Sequence, residues 1–147
     1  MHRLITLALA TLLLASGACL ARDLWHPEGT AILTPDQAFA LMPAERSGDT
    51  VRVQWSIAPG YYLYRARIEL TPAGSGQHLA LTLPAGEKIH DEHFGDSEIY
   101  RGGGAPLAAE FSSHTPPRQL TVRYQGCADV GVCLPPQTRV IDIPAAP

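Results

Sequence analysis

"VRVQWSI", residues 51–57, alternates strictly: Val51, Val53, Trp55 and Ile57 on one side, Arg52, Gln54 and Ser56 on the other. A period of two is the signature of a strand with one buried face. Working outward, similar runs recur. In "YLYRARIEL" (62–70), Tyr62, Tyr64, Ala66, Ile68 and Leu70 alternate with Leu63, Arg65, Arg67 and Glu69. "HLALTL" (78–83), "PLAAEF" (106–111), "QLTVRY" (119–124) and "TRVIDI" (138–143) are shorter runs of the same kind. Turn formers separate them: Pro59-Gly60, "PAGSG", "GGG" and Pro116-Pro117. Short strands with one apolar face each, at near-regular spacing, predict two sheets packed face to face. The expected fold class is all-β, an immunoglobulin-like sandwich with Trp55 in its core; a small barrel is the alternative. "TPDQAFALM" (34–42) predicts one short N-terminal helix, with Thr34 as N-cap, Pro35 at the first helical position and Gln37 completing a capping box.

The chain opens "MHRLITLALATLLLASGACLARDLW". A basic start, an apolar run from Leu4 to Leu14 and then small residues form a secretory signal peptide, expected at residues 1–21 with cleavage after Ala21 (Ala18 is the second choice). The run falls short of the about 20 apolar residues a bilayer span needs. Cys19 raises lipidation, but Ser16 stands where a lipoprotein signal carries leucine, so Cys19 is expected to leave with the leader. Residues 22–147 then form one exported domain. Loss of Arg3 moves the formal charge from −3 to −4, which speaks against nucleic acid or an anionic membrane surface as partner.

The mature part keeps two cysteines, Cys127 and Cys133, in "YQGCADVGVCLPP" (124–136). In an oxidising compartment two cysteines default to a disulfide. Three readings stand open. A structural staple over so short a loop is worth about 2 kcal/mol, against about 5 for a hundred-residue loop, and would tie a loop to itself rather than link the sheets. A metal site would add His90, Asp91, Glu92 and His93 from "IHDEHFGD" (89–96), but zinc ligands favour cysteine spacings of two to four. A redox pair needs both sulfurs within bonding reach and one accessible, which a short loop with Gly131 and a Pro135-Pro136 stop permits.

The segment "YQGCADVGVCLPPQT" (124–138) resembles the cysteine-bearing segment of the N-terminal periplasmic domains of the disulfide interchange protein DsbD. "PDQAFA" (35–40), "GYYLYRARI" (60–68) and "DEHFGDSEIYR" (91–101) are similar to three further motifs of that family, in the same order, so the resemblance runs from Thr34 to Ile143. It implies an immunoglobulin-like oxidoreductase domain without metal or organic cofactor. Such a domain passes reducing equivalents to periplasmic thioredoxin-fold proteins of the disulfide isomerase or cytochrome c maturation type. It is itself reduced by a thioredoxin-like domain fed from a membrane dithiol carrier. The resemblance assigns the reversible bridge to Cys127 and Cys133, with Cys133 forming the mixed disulfide and Cys127 resolving it. It makes Asp91, Glu92, His93, Phe94 and Gly95 a cap loop over the bridge, and Tyr62 and Tyr64 aromatics lining it. Acids at Asp91, Glu92 and Asp129 would keep reduced Cys133 a protonated thiol. Where the family has Phe-Tyr before the glycine, this chain has His93-Phe94. Either Phe94 turns in to shield the bridge or the cap is leakier, and a protonated His93 would oppose the acids. A non-catalytic immunoglobulin-like binding module with a structural bridge, or a metal-binding domain using His90, His93 and the cysteines, are the alternatives.

Overall fold

The structure, a computed structural model, describes residues 31–145. The expected signal peptide and Cys19 lie outside the described residues. In chain order the elements are a helical turn α1 (Pro35–Ala38), then β1 (Phe39–Leu41), β2 (Glu45–Ser47), β3 (Thr50–Ile57), β4 (Tyr61–Tyr64) and a 3-10 turn at Arg65–Arg67. They continue with β5 (Glu69–Pro72), β6 (Glu87–Asp91), β7 (Gly95–Arg101), β8 (Leu107–Ser112), β9 (Gln119–Tyr124), β10 (Gly126–Ala128), β11 (Val132–Cys133) and β12 (Gln137–Asp142). The class is the expected one, antiparallel β with a short helix at the N-terminal side. The strands form three hydrogen-bonded sheets instead of the two that the sequence predicts: β1, β2 and β8 around β3; β11-β10-β4-β7-β6; and β12-β9-β5.

The stretch 51–57 is the centre of the first sheet. Val51, Val53, Trp55 and Ile57 are all buried, as their alternation requires. β8 pairs along one edge of β3, while β1 and β2 share the other, at Trp55–Ile57 and Thr50–Arg52 respectively. This sheet faces the β5–β9–β12 sheet across a core that includes Leu70, Leu107, Phe111, Leu120, Val122 and Tyr124. Edge-on aromatic contacts run through it: Trp55 to Tyr124 at 5.8 Å, Tyr124 to Phe39 at 6.4 Å, and Phe39 to Tyr61 at 6.2 Å between ring centroids. Such pairs add about 0.5–1.5 kcal/mol each beyond the area they bury.

The short helix expected in "TPDQAFALM" is present as a single turn, and two other expectations need correction. The Gln37 side chain accepts from the Thr34 N–H at 3.1 Å, as in a capping box, but Phe39 turns to extended backbone and Phe39–Leu41 join β3 as a strand. Burying the Phe39 ring outweighs the local helical preference. The run 62–70 is not one strand. The 3-10 turn at Arg65–Arg67 breaks it, so that β4 and β5 belong to different sheets. "HLALTL" makes only an isolated bridge, Thr82 with Glu110. Its backbone bonds first to Leu70 in β5 and then to Glu110 in β8, so it crosses between two sheets and extends neither. Its leucines Leu79, Leu81 and Leu83 still pack against the core.

β4 is a wall shared by two cores. "YYLY" is apolar at every position, and all four residues are buried. Tyr61 and Leu63 enter the main core, whereas Tyr62 and Tyr64 join a separate small cluster with Ile99 and Cys127. Beside this wall lies Gly126, where an added methyl would run into the Tyr62 carbonyl oxygen and the Phe39 ring. Gly126→Ala is therefore expected to lower stability by about 1–3 kcal/mol. Gly104→Ala, which meets open space, should stay within about 0.5 kcal/mol of the parent. Urea unfolding midpoints at constant slope check both values.

Candidate functional site

The cysteine segment is a hairpin and not the irregular loop its glycine and prolines suggest. β10 and β11 pair antiparallel with Cys127 opposite Cys133, and Gly131 supplies the left-handed turn residue between them at φ +84°. The Leu134 N–H bonds the Gly126 carbonyl at 3.0 Å. This leaves the cysteines at a non-hydrogen-bonded position, where facing side chains approach most closely. Their Cα atoms are 3.9 Å apart and the sulfurs are bonded to one another. β11 is the outer strand of its sheet. The two cysteines differ in exposure as residues: Cys127 is fully buried, while Cys133 is half-buried against the same cluster as Cys127.

Register explains the surroundings. Tyr62 in β4 lies opposite Cys127 in β10, and Arg101 in β7 lies opposite Tyr62. Directly paired residues share a sheet face, so Cys133, Cys127, Tyr62 and Arg101 form one row across four strands. Two residues along, Tyr64 adds a second ring, 5.4 Å from Tyr62 and edge-on to it.

Asp91, at the end of β6, is the hub of the cluster and is 7% exposed. Its Oδ2 accepts hydrogen bonds from the Tyr64 hydroxyl at 2.7 Å and the Tyr62 hydroxyl at 3.0 Å. Its Oδ1 accepts the backbone N–H groups of His93 at 2.8 Å and Phe94 at 3.0 Å. Burial pushes the carboxyl up, but the bonds from Tyr64, the His93 N–H, Tyr62 and the Phe94 N–H together outweigh it and hold the group below its ordinary value. Asp91 is thus an anion at neutral pH. Burial in turn pushes both phenols up, Tyr64 far above its ordinary value, so Tyr62 and Tyr64 stay protonated at neutral pH. The Tyr64 oxygen also lies 3.3 Å from the Cys127 sulfur, so the carboxylate, the phenol and the inner sulfur are in sequence.

The segment 91–95 is the turn of the β6–β7 hairpin, with Gly95 at φ +68°. Phe94 packs edge-on to Tyr64 at 4.8 Å under the Arg67 guanidinium at 4.4 Å, and still leaves 37% of its surface exposed. His93 and Glu92 face solvent. The metal alternative gathers His90, His93 and both cysteines. Here both histidines are exposed, His90 pairs with Asp96 across the hairpin at 2.8 Å, and Cys127 is enclosed. Among the described residues no group of three or more His, Cys, Asp or Glu is placed to hold one ion.

Of the acids expected to act on the sulfurs, Asp91 alone reaches the cluster. Asp129 pairs with Arg101 at 2.5 Å, and Glu92 is exposed. Sequence reasoning assigns no role to Ile99, Arg67 or Arg101. Arg101 lies in the quoted "DSEIYR" stretch, but its place beside Tyr62 depends on cross-strand register, which a single chain's pattern does not reveal.

Fold and site define a class: an antiparallel β domain that carries a cysteine pair bridged at a sheet edge and walled by two phenols around a carboxylate. The family model for the N-terminal region of the thiol:disulfide interchange protein DsbD matches residues 29–145. This chain belongs to that family. It is 39% identical to DsbD of Cronobacter sakazakii over 146 residues, covering 98% of this chain and 24% of that protein. It is also 39% identical to DsbD 1 of Pseudomonas aeruginosa over 158 residues, covering 97% of this chain and 25% of that protein. The chain thus spans about a quarter of the length of these curated relatives. The N-terminal domain of Neisseria meningitidis DsbD in its reduced form superposes with a TM-score of 0.68 at 30% identity, covering 80% of this chain and 94% of that one. A complex between the DsbD and PilB N-terminal domains of the same organism gives a TM-score of 0.59 at 32% identity, over 76% of this chain and 87% of that one.

Asp91→Asn keeps the shape of the hub and removes its charge. At neutral pH this is expected to cost about 1.5–3 kcal/mol, the range for hydrogen bonds to a charged group. A carboxyl depressed in the folded state contributes stability that is present above its unfolded value of about 3.9 and is lost as pH falls through the folded value. The gap between parent and variant, read from urea unfolding at a series of pH values, should be level above about pH 5 and close progressively below about pH 4.

Proposed function

We propose that this domain is a periplasmic thiol–disulfide exchange module that passes reducing equivalents to thioredoxin-fold proteins through the Cys127–Cys133 pair. The observation that carries the reading is the unequal exposure of the two cysteines: Cys133 half-buried on an outer strand, Cys127 enclosed beside the Tyr64 hydroxyl. Exchange needs a nearly linear approach of a thiolate to one sulfur, so access selects which sulfur is attacked. The complex that the Neisseria meningitidis DsbD N-terminal domain forms with the PilB N-terminal domain supports a protein partner for this one.

To charge the module, a donor thiolate attacks the Cys133 sulfur, a donor–Cys133 disulfide forms, the 127–133 bond breaks, and its electron pair leaves on Cys127. That leaving thiolate then takes a proton, and the Tyr64 oxygen, 3.3 Å away with its own proton held by Asp91, accepts the resulting Cys127 S–H. The donor's second thiolate then attacks the donor sulfur of the mixed disulfide and frees Cys133, so two electrons and two protons have moved to the module. Discharge is the reverse: Cys133 attacks a client disulfide, and Cys127 attacks the Cys133 sulfur to release the client as a dithiol. In the resting dithiol the Asp91 carboxylate holds the Tyr64 proton, so the phenol oxygen is free to accept from Cys127 S–H. That arrangement favours a quiet thiol at Cys127, where the sequence points to Cys133.

The segment Asp91–Gly95 is the cap. Phe94 packed on Tyr64, and the two backbone N–H groups held by Asp91, keep it closed beside the bridge. A docking partner replaces those contacts, and the Gly95 backbone absorbs the turn. Donor and client are both proteins with a thioredoxin-like dithiol; the donor is fed from a membrane dithiol carrier.

Trapping tests this reading. Cys127→Ser, incubated with a thioredoxin-fold protein in its disulfide form, should accumulate a mixed disulfide through Cys133, seen as a reducible mass adduct. Cys133→Ser should trap at least about tenfold less, because Cys127 is enclosed and access governs the exchange rate. Equal trapping by both variants, or none by either, would contradict the assignment.

A further inference from the structure

Reduction removes the bond that closes the Cys127–Cys133 hairpin, yet Cys127 must remain opposite Cys133 to resolve a mixed disulfide. Backbone pairing to β4 and β11 holds the strands without sulfur, and the tip beyond them has sulfur-independent links of its own. Asp129, at the start of that tip, has two links outside the hairpin. Its N–H bonds the Gly60 carbonyl at 2.8 Å, and its Oδ1 pairs with Arg101 Nη1 at 2.5 Å. Arg101 is well anchored for the purpose. Its Nε donates to Glu87 Oε2 at 2.8 Å on the β6 side, and its guanidinium lies 5.6 Å from the centre of the Tyr62 ring. It therefore reaches from β7 across Tyr62 to the cysteine hairpin, in the sheet row that ends at the two sulfurs.

Resting on the exchange reading above, we propose that Arg101 is a positioning residue: through Asp129 it holds the cysteine hairpin in register when the 127–133 bond is open. The physical consequence is a coupling. The closed bond fixes Asp129 within reach of Arg101, and the ion pair in turn keeps the two thiols facing. Each raises the other's stability, so loss of the pair destabilises the disulfide form more than the dithiol form. The mechanism leaves the chemistry at sulfur unchanged: the pair of thiols gives up two electrons and two protons to an acceptor disulfide as the 127–133 bond forms.

Exposed ion pairs shift equilibria by about 1.5- to 5-fold. Arg101→Gln and Asp129→Asn should each lower the equilibrium constant for bond formation by about threefold, within that range. At 29.6 mV per tenfold, that is about 14 mV toward a less negative reduction potential. The double variant should match either single one, because the same tether is lost. The measurement equilibrates each folded protein with the glutathione redox couple and counts alkylated thiols by mass. Charge alone would act differently, since removing a cation and removing an anion shift thiol equilibria in opposite directions. Shifts of opposite sign, or single variants that keep the parent potential, would overturn the strut. A parent bond that fails to equilibrate with glutathione or with a thioredoxin-fold dithiol would instead overturn the exchange reading itself. A lengthened lifetime of the mixed disulfide in Asp129→Asn, with Cys127 and Cys133 both present, is the kinetic result expected of a misplaced resolving thiol.

Discussion

A single carboxylate holds the two halves of the site together. Asp91 binds the hydroxyls of Tyr62 and Tyr64 with one oxygen and the backbone of the hairpin turn with the other. The phenols belong to the strand that pairs with the cysteine hairpin, and the turn belongs to the segment beside them. An ionised group this enclosed persists because its hydrogen bonds replace the water it lost. Disturbing it would release the turn, free the phenols and alter the polar contact at the Cys127 sulfur together.

The fold makes that hub possible by splitting its core. β4 buries Tyr61 and Leu63 in the sandwich and Tyr62 and Tyr64 in the small cluster around Cys127. The sandwich supplies stability, so the smaller cluster need not. Neither cysteine belongs to the main core, so a bond made or broken between Cys127 and Cys133 acts first on the small cluster. The shared strand also explains the tight approach at Gly126, where both cores and the cysteine strand converge.

Legibility of the sequence follows burial. β3 is plain because one face is buried and the other is wet, so Val51 to Ile57 alternate. β4 is only partly legible, because a strand buried on both faces has no alternation to show and its aromatic residues extend one apparent pattern across the 3-10 turn. The β6–β7 hairpin carries Lys88, His90 and Asp96 on exposed positions and gives no apolar period at all. Its place is visible only through the resemblance. In the site, the cysteines are legible as residue types, and Phe94 and Asp91 through the family motif. That Asp91 differs from Glu92, one buried and bonded and the other exposed, is set by the turn geometry. The parts played by Arg67 and Arg101 arise from contacts between segments distant in sequence, which composition and spacing do not encode.

The central claim is that the bond between Cys127 and Cys133 opens and closes while the domain stays folded. The most direct test mixes the oxidised domain with an equimolar thioredoxin-fold dithiol, quenches with an alkylating reagent, and reads both proteins by mass as circular dichroism confirms the fold. The account predicts two alkylated cysteines on the domain and a matching disulfide on the partner, in proportion to their relative potentials. A bond that remains closed in the folded domain under these conditions, with the partner still fully reduced, would contradict it.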